Sequence, residues 1–201
     1  MGTWQIVVRA AAIVLLVSVI VGGLTSPGQQ YLPDALRSLA NSAAPWFVTV
    51  LAAVYAGRCR PVVAIILGIA GFLLFNVSYG IVSELRGFAY SAGPHNIWSI
   101  LAFPVGLIAG LAASWLRSAR VTLVAIGASA PAAVLLGEGM YGLTVILATT
   151  GPVVWILELA GAATFLVAIS LVSLRRLRPI ALCVGLAVAG AVVLYAGLRL
   201  V

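Results

Sequence analysis

The chain has 201 residues, of which 64% are hydrophobic and only 7% charged, with a formal net charge of +7. A water-soluble domain is about half apolar and about a quarter charged, so this chain lacks the polar coat that water demands, and lipid must be its solvent. All 11 basic residues are Arg, and apart from Arg9 and Arg199 they sit in short stretches between apolar runs, which excludes the basic stripe of a nucleic-acid binder and points instead to membrane topology. The class this predicts is an all-α integral membrane helix bundle, in one transmembrane domain over residues 1–201, because helices satisfy their own backbone in hydrocarbon.

A crossing takes about 20 apolar residues for about 30 Å of hydrocarbon. The first candidate, residues 4–24, is too long for a signal-peptide core and ends in no A-x-A-like site, so it is expected to be retained. The stretch GGLTSPGQQYLPDALRSLANSAAPW follows, residues 22–46, and it is unusually polar for this chain. Thr25, Ser26, Pro27 and Gly28 are turn chemistry that ends the first span. From Pro33 the pattern changes: Leu32, Leu36, Leu39, Ala40 and Ala43 recur at helical spacing, which predicts a short amphipathic helix over residues 33–43. Such a segment either joins two spans or forms a lid over a cavity, with Gln29, Gln30, Asp34 and Arg37 as its polar residues.

The remaining candidates are residues 43–57, 61–83, 97–116, 121–136, 152–174 and 180–200, which makes seven in all. The second and fifth are short. The fifth could instead run through Tyr141 toward Thr149 as a broken or re-entrant segment, with Pro131 as a kink and Gly137-Glu138-Gly139 as the break; whether residues 137–151 span, re-enter or loop stays open at this point.

Charge orders these segments. Arg58 and Arg60, Arg117 and Arg120, and Arg175, Arg176 and Arg178 occupy alternate connections. The positive-inside rule makes that side the cytoplasm, with the N-terminus inside and the C-terminus outside. Asp34, Glu84 and Glu138 fall in the opposite connections, and Trp4, Trp46, Trp98, Trp115 and Trp155 mark the two interfaces. Cys59 and Cys183 both map near the reducing side, where a disulfide is not expected.

Glu158 lies six residues into its span, roughly 9 Å deep. A carboxylate there costs a few kcal/mol unless it is paired, protonated or hydrated. It reads either as a substrate, cation or proton site or as a structural carboxylate bonded to a neighbouring span. Asn76, Tyr79, Gly80 and Ser83 form a polar face at similar depth on the third span, and Asn41 and Ser42 enter the second span from the same side; Glu158, Asn76, Tyr79, Ser83, Asn41 and Trp155 are the candidate binding set, with Glu158 expected near Asn76 and Tyr79. The alternative for the neutral members is ordinary interhelical hydrogen bonding. Gly106, Gly110 and Ser114 form a small-residue stripe on the fourth span, suited to helix packing. The lone His95 makes no multi-histidine metal site. No P-loop, H-E-x-x-H, G-x-S-x-G or G-x-G-x-x-G is present, so neither a catalytic residue nor a cofactor is assigned.

The stretch GGLTSPGQQYLP…LANSAAPW resembles the signature of an uncharacterised family of small multispan membrane proteins found in actinobacteria, a domain of unknown function. The resemblance implies a bacterial cytoplasmic (inner) membrane location and carries no activity. The size and the polar outward half are also similar, in architecture only, to the substrate-binding subunits of energy-coupling-factor vitamin importers, whose usual six spans differ from the seven expected here. Three readings follow: a small transporter or the substrate-binding subunit of one, a scaffold or assembly subunit, and an intramembrane enzyme acting on lipid. The partners implied are the bilayer and, for active uptake, other membrane subunits or an ATP-binding protein; nucleic acid is not among them.

Overall fold

In the computed structural model, which describes residues 3–200, the chain is helical, with no strand among the described residues. The helices are α1 (Thr3–Tyr31), α2 (Ala43–Gly57), α3 (Pro61–Leu85), α4 (Ile97–Trp115), α5 (Val121–Thr144), the single turn α6 (Leu147–Thr150), α7 (Val153–Ile169) and α8 (Leu177–Leu198). A 3-10 helix, Asp34–Ala40, precedes α2, and the two meet at 57°; we refer to it as the elbow. A π-helical turn, Ser170–Leu174, ends α7. Among the described residues six helices are long and apolar enough to cross a membrane, and the elbow with α2 makes a seventh if that bent pair is one crossing.

Two boundaries differ from the sequence expectation. The turn chemistry at Thr25 to Gly28 does not end α1, which runs on through Pro27 to Tyr31. Proline removes one backbone hydrogen bond and crowds the preceding turn. The Thr25 hydroxyl helps the helix tolerate it by donating to the Val21 carbonyl at 2.9 Å. In the fifth segment there is no break at Gly137-Glu138-Gly139, and α5 is continuous to Thr144 with Pro131 inside it. These glycines instead thin the helix so that its neighbours can close on it. A Cβ at Gly137 would press on the Ala191 carbonyl of α8, one at Gly139 on Leu159 and the Trp155 carbonyl of α7, and one at Gly142 would overlap the Trp155 ring. Glu138, expected in a connecting loop, is therefore a buried helical residue.

Helix contacts divide the chain into two compact units, residues 1–32 with 45–114 and residues 33–44 with 115–201. In the first, α1 packs on α3 through Gly22, whose missing Cβ admits the Phe75 backbone, and Gly57 of α2 lies against Ala10 of α1. In the second, α5 packs against both α7 and α8, and the elbow touches α7. Its apolar core at the arginine-bearing end is Val124, Ala125, Ala128, Leu174 and Cys183. Arg58 and Arg175 follow α2 and the π turn in the left-handed region (φ 57° and 47°), where a cation suits the negative end of the helix it terminates.

Candidate functional site

The short second helix explains the site. A helix leaves its first N–H groups without intrahelical acceptors, and in a membrane each needs another partner. At the start of α2 that partner is Glu138. Its Oε1 accepts the Ala43 N–H at 2.9 Å and its Oε2 accepts the Ala44 N–H at 2.6 Å. The positive end of the helix dipole favours a carboxylate there. Glu138 lies six residues before the end of α5, roughly 9 Å along its axis. The 15 residues of α2 therefore cover about 22 Å, which is short of a full crossing by α2 alone.

Glu158 reaches the same place from α7. The Ser42 hydroxyl, one residue before α2, donates to its Oε1 at 2.6 Å, and Ser42 Oγ in turn accepts the Ala44 N–H at 3.3 Å. Glu158 is only 5% exposed, yet its Oε2 has no hydrogen-bond partner among the described residues. Two buried carboxyl groups thus share one neighbourhood and are treated differently by it. Glu138 has both oxygens met by backbone donors, whereas Glu158 has one neutral hydroxyl and one bare oxygen. No three His, Cys, Asp or Glu side chains gather here or elsewhere among the described residues as a metal site would require.

Beside this pair, a cleft of about 640 Å³ is lined by the elbow and the α6–α7 turn, with Asp34, Arg37, Ser38, Asn41, Thr149 and Thr150 on its walls. Ser38 donates to the Thr150 carbonyl at 3.3 Å, and the Trp155 indole N–H donates to the Thr150 hydroxyl at 2.8 Å, tying elbow, α6 and α7 together. Asn41, next to Ser42, donates to the Arg37 carbonyl at 3.4 Å. The Asp34–Arg37 ion pair, 2.6 Å long, is exposed and contributes little to stability.

The other candidate residues belong to the first unit and have partners there. The Asn76 amide donates to Ser99 at 2.9 Å and its carbonyl accepts the Tyr90 hydroxyl at 2.6 Å. Tyr79 donates to Gln29 at 3.1 Å and meets the Tyr90 ring edge-on. Arg86 donates to Ser26 at 2.7 Å and to Gln30. Ser83 is buried, and its hydroxyl has no partner among the described residues. Burial pushes the Tyr90 hydroxyl above the usual tyrosine range, and the like-charging Tyr79 adds to this against the opposing Asn96 bond, so Tyr90 stays a donor at neutral pH.

Two expectations are corrected by these bonds. The donor to Glu158 is Ser42, within the second unit, while the Asn76 amide and the Tyr79 hydroxyl donate to Ser99 and Gln29 within the first. Gln29 and Gln30 are not part of a lid; they lie on the last turns of α1 and bond to Tyr79 and Arg86, because α1 outlasts its expected turn. Of the lid set, Asp34 and Arg37 do line the cleft. Gly106 and Gly110 lie against the α3 backbone at Gly68, Ile69, Ala64 and Ile65, and Ser114 bonds back to Leu111.

Sequence reasoning missed Glu138 as a site residue, and it placed Ser42 beside Asn41 at the entrance to the second span without including it in the candidate set. The flanking glycines made Glu138 look like a loop residue, although apolar residues continue on both sides of it. Ser42 carried a readable signal, since a serine just before a helix start is a natural hydrogen-bonding position.

No curated protein and no solved structure matches the chain. One family does, over residues 1–201, and its description is that of a family of unknown function, DUF6518. The chain, a multi-pass helical membrane protein by its composition and its long apolar helices, belongs to the DUF6518 family.

Proposed function

We propose that this protein captures a small cation, either an alkylammonium or a monovalent metal ion, on Glu158, as a small transporter or as the substrate-binding subunit of one. The observation that carries the reading is the bare Oε2 of a buried Glu158 beside a Glu138 whose own oxygens are both engaged. A carboxylate in hydrocarbon is expensive unless it is paired, protonated or hydrated, and on this reading a single positive group takes the proton's place on the bare oxygen. The cleft extends to Asn41, the residue next to the Ser42 that bonds Glu158, and a helix that begins inside the membrane is a recurrent element of transport sites.

On this reading the cleft faces away from the cytoplasm of a bacterial cell, with the N-terminus inside, as the alternation of Arg and acidic connections supports. In a background with both cysteines replaced by serine, Ala35→Cys should react with an impermeant thiol reagent in whole cells. Ala119→Cys should react only after permeabilisation. Reaction of both from outside would overturn the orientation.

The binding test uses purified protein and a panel of sodium, potassium and methylammonium chlorides, read by thermal unfolding at constant ionic strength. One member should raise the midpoint of the wild type, and the rise should vanish in Glu158→Gln, which keeps the shape and the Ser42 bond but removes the charge. An equal rise in Glu158→Gln, or no rise with any member, would end the case for Glu158 as a charged ligand. The scaffold reading has lost support: its small-residue stripe, Gly106 and Gly110, is in contact with α3 within the same unit.

A further inference from the structure

A second groove lies between α5 and α8, and none of the residues that line it is a carboxylate. Leu136, Gly137 and Met140 of α5 and Val188, Ala191, Val192 and Tyr195 of α8 line a wholly apolar groove of about 330 Å³. The groove exists because Gly137 has no side chain and abuts Ala191. On α8 its residues recur at helical spacing, so they form one stripe, and four residues beyond Tyr195 that stripe reaches Arg199. On α5, four residues beyond Met140, the matching stripe reaches Thr144. The two stripes become polar at the same end, where the Thr144 and Tyr195 hydroxyls are 3.1 Å apart and the Arg199 guanidinium sits 5.9 Å from the centre of the Tyr195 ring. Arg199 is exposed and makes no ion pair among the described residues.

From Val188 to Tyr195 the groove is roughly 10 Å long, about a third of the hydrocarbon thickness and within one leaflet. An apolar slot ending in two hydroxyls and then a guanidinium matches an amphiphile with an acyl chain and a phosphate. We infer that the α5–α8 groove binds one anionic phospholipid, its acyl chain along Gly137 and Ala191 and its phosphate at Arg199. The charge complementarity selects an anionic headgroup, since a guanidinium fork engages phosphate oxygens in pairs and no acidic side chain among the described residues pairs with Arg199.

The experiment uses the full chain in nanodiscs or micelles supplied with phosphatidylglycerol or phosphatidylcholine of matched chains. Native mass spectrometry counts the retained lipid, and thermal unfolding reports its effect. Wild type should retain phosphatidylglycerol about fivefold more than phosphatidylcholine, the size expected of one basic residue at a membrane surface. Arg199→Gln should remove that preference, and Arg199→Lys should keep part of it. Val192→Trp fills the groove at a 61% exposed position and should lower retention of both lipids. Val193→Trp, on the neighbouring 72% exposed position outside the groove, should not. No headgroup preference in wild type, an undiminished preference in Arg199→Gln, or equal effects of the two tryptophans would overturn the site. Loss of a dimer mass in Val192→Trp would also overturn it, and would assign the groove to a second copy of the chain.

Discussion

The two polar clusters of this protein are built on opposite terms. In the first unit, Asn76, Ser99, Tyr90, Tyr79, Gln29, Gln30 and Arg86 engage one another through hydroxyls, amides and a guanidinium. Ser83 leaves one hydroxyl without a partner there, an omission worth about 1–3 kcal/mol. In the second unit the cluster is built on two carboxyl groups, and the oxygen left bare belongs to one of them. A network without a buried carboxyl group, in which every side chain but Ser83 has a partner, serves to fix helices against each other. A cluster that is complete at Glu138 and incomplete at Glu158 holds a helix start in place with one residue and keeps the other available.

The contrast can be broken most forcefully at Glu138. Glu138→Leu strips one buried and one half-buried N–H group of their acceptor and should destabilise by roughly 2–5 kcal/mol in a denaturant titration, with Glu138→Gln costing less because one amide oxygen remains. A near-neutral Glu138→Leu would show that Glu138 is not the structural member of the pair. Gly142→Leu comes next. It drives a side chain into the Trp155 ring and should cost about 1–3 kcal/mol as overpacking, with a change in Trp fluorescence as α7 is displaced. On the other side of the comparison, Asn76→Leu removes two side-chain bonds worth about 0.6 kcal/mol each in membrane proteins. It should lower the thermal midpoint slightly and leave cation response intact. A lost response would move the first unit's network from structure into function. The smallest effect belongs to Asp34→Asn, which breaks the exposed ion pair with Arg37 and should change stability by less than about 0.5 kcal/mol.

Hydropathy carried most of the architecture, because a long apolar run in a chain this poor in charge has no other stable form than a membrane helix. It even located α2, whose 15 residues look too few to cross. What hydropathy could not carry was the meaning of glycine and proline inside such runs. Thr25 to Gly28 and Gly137 to Gly139 have the composition of turns, but both lie within helices. In one case a threonine hydroxyl bridges to the preceding turn, and in the other the missing Cβ atoms are needed by α7 and α8. Depth was legible too, which is why Glu158 stood out. Pairing was not. Periodicity places Asn76 and Glu158 at comparable heights, but only the three-dimensional structure shows that the donor facing Glu158 is Ser42, more than a hundred residues away in sequence.

That separation bears on how the chain is made. The acceptor for the first turn of α2 stands 95 residues further along, so when Ala43 leaves the ribosome its cap does not yet exist. Until α5 has been synthesised, the start of α2 carries open N–H groups that hydrocarbon does not tolerate, and it must wait beside water or lipid headgroups. The order of translation and the order of settling therefore differ: an early helix is completed by a late one. A nascent chain halted before Glu138 holds every residue of α2 and still lacks the acceptor that fixes where it begins.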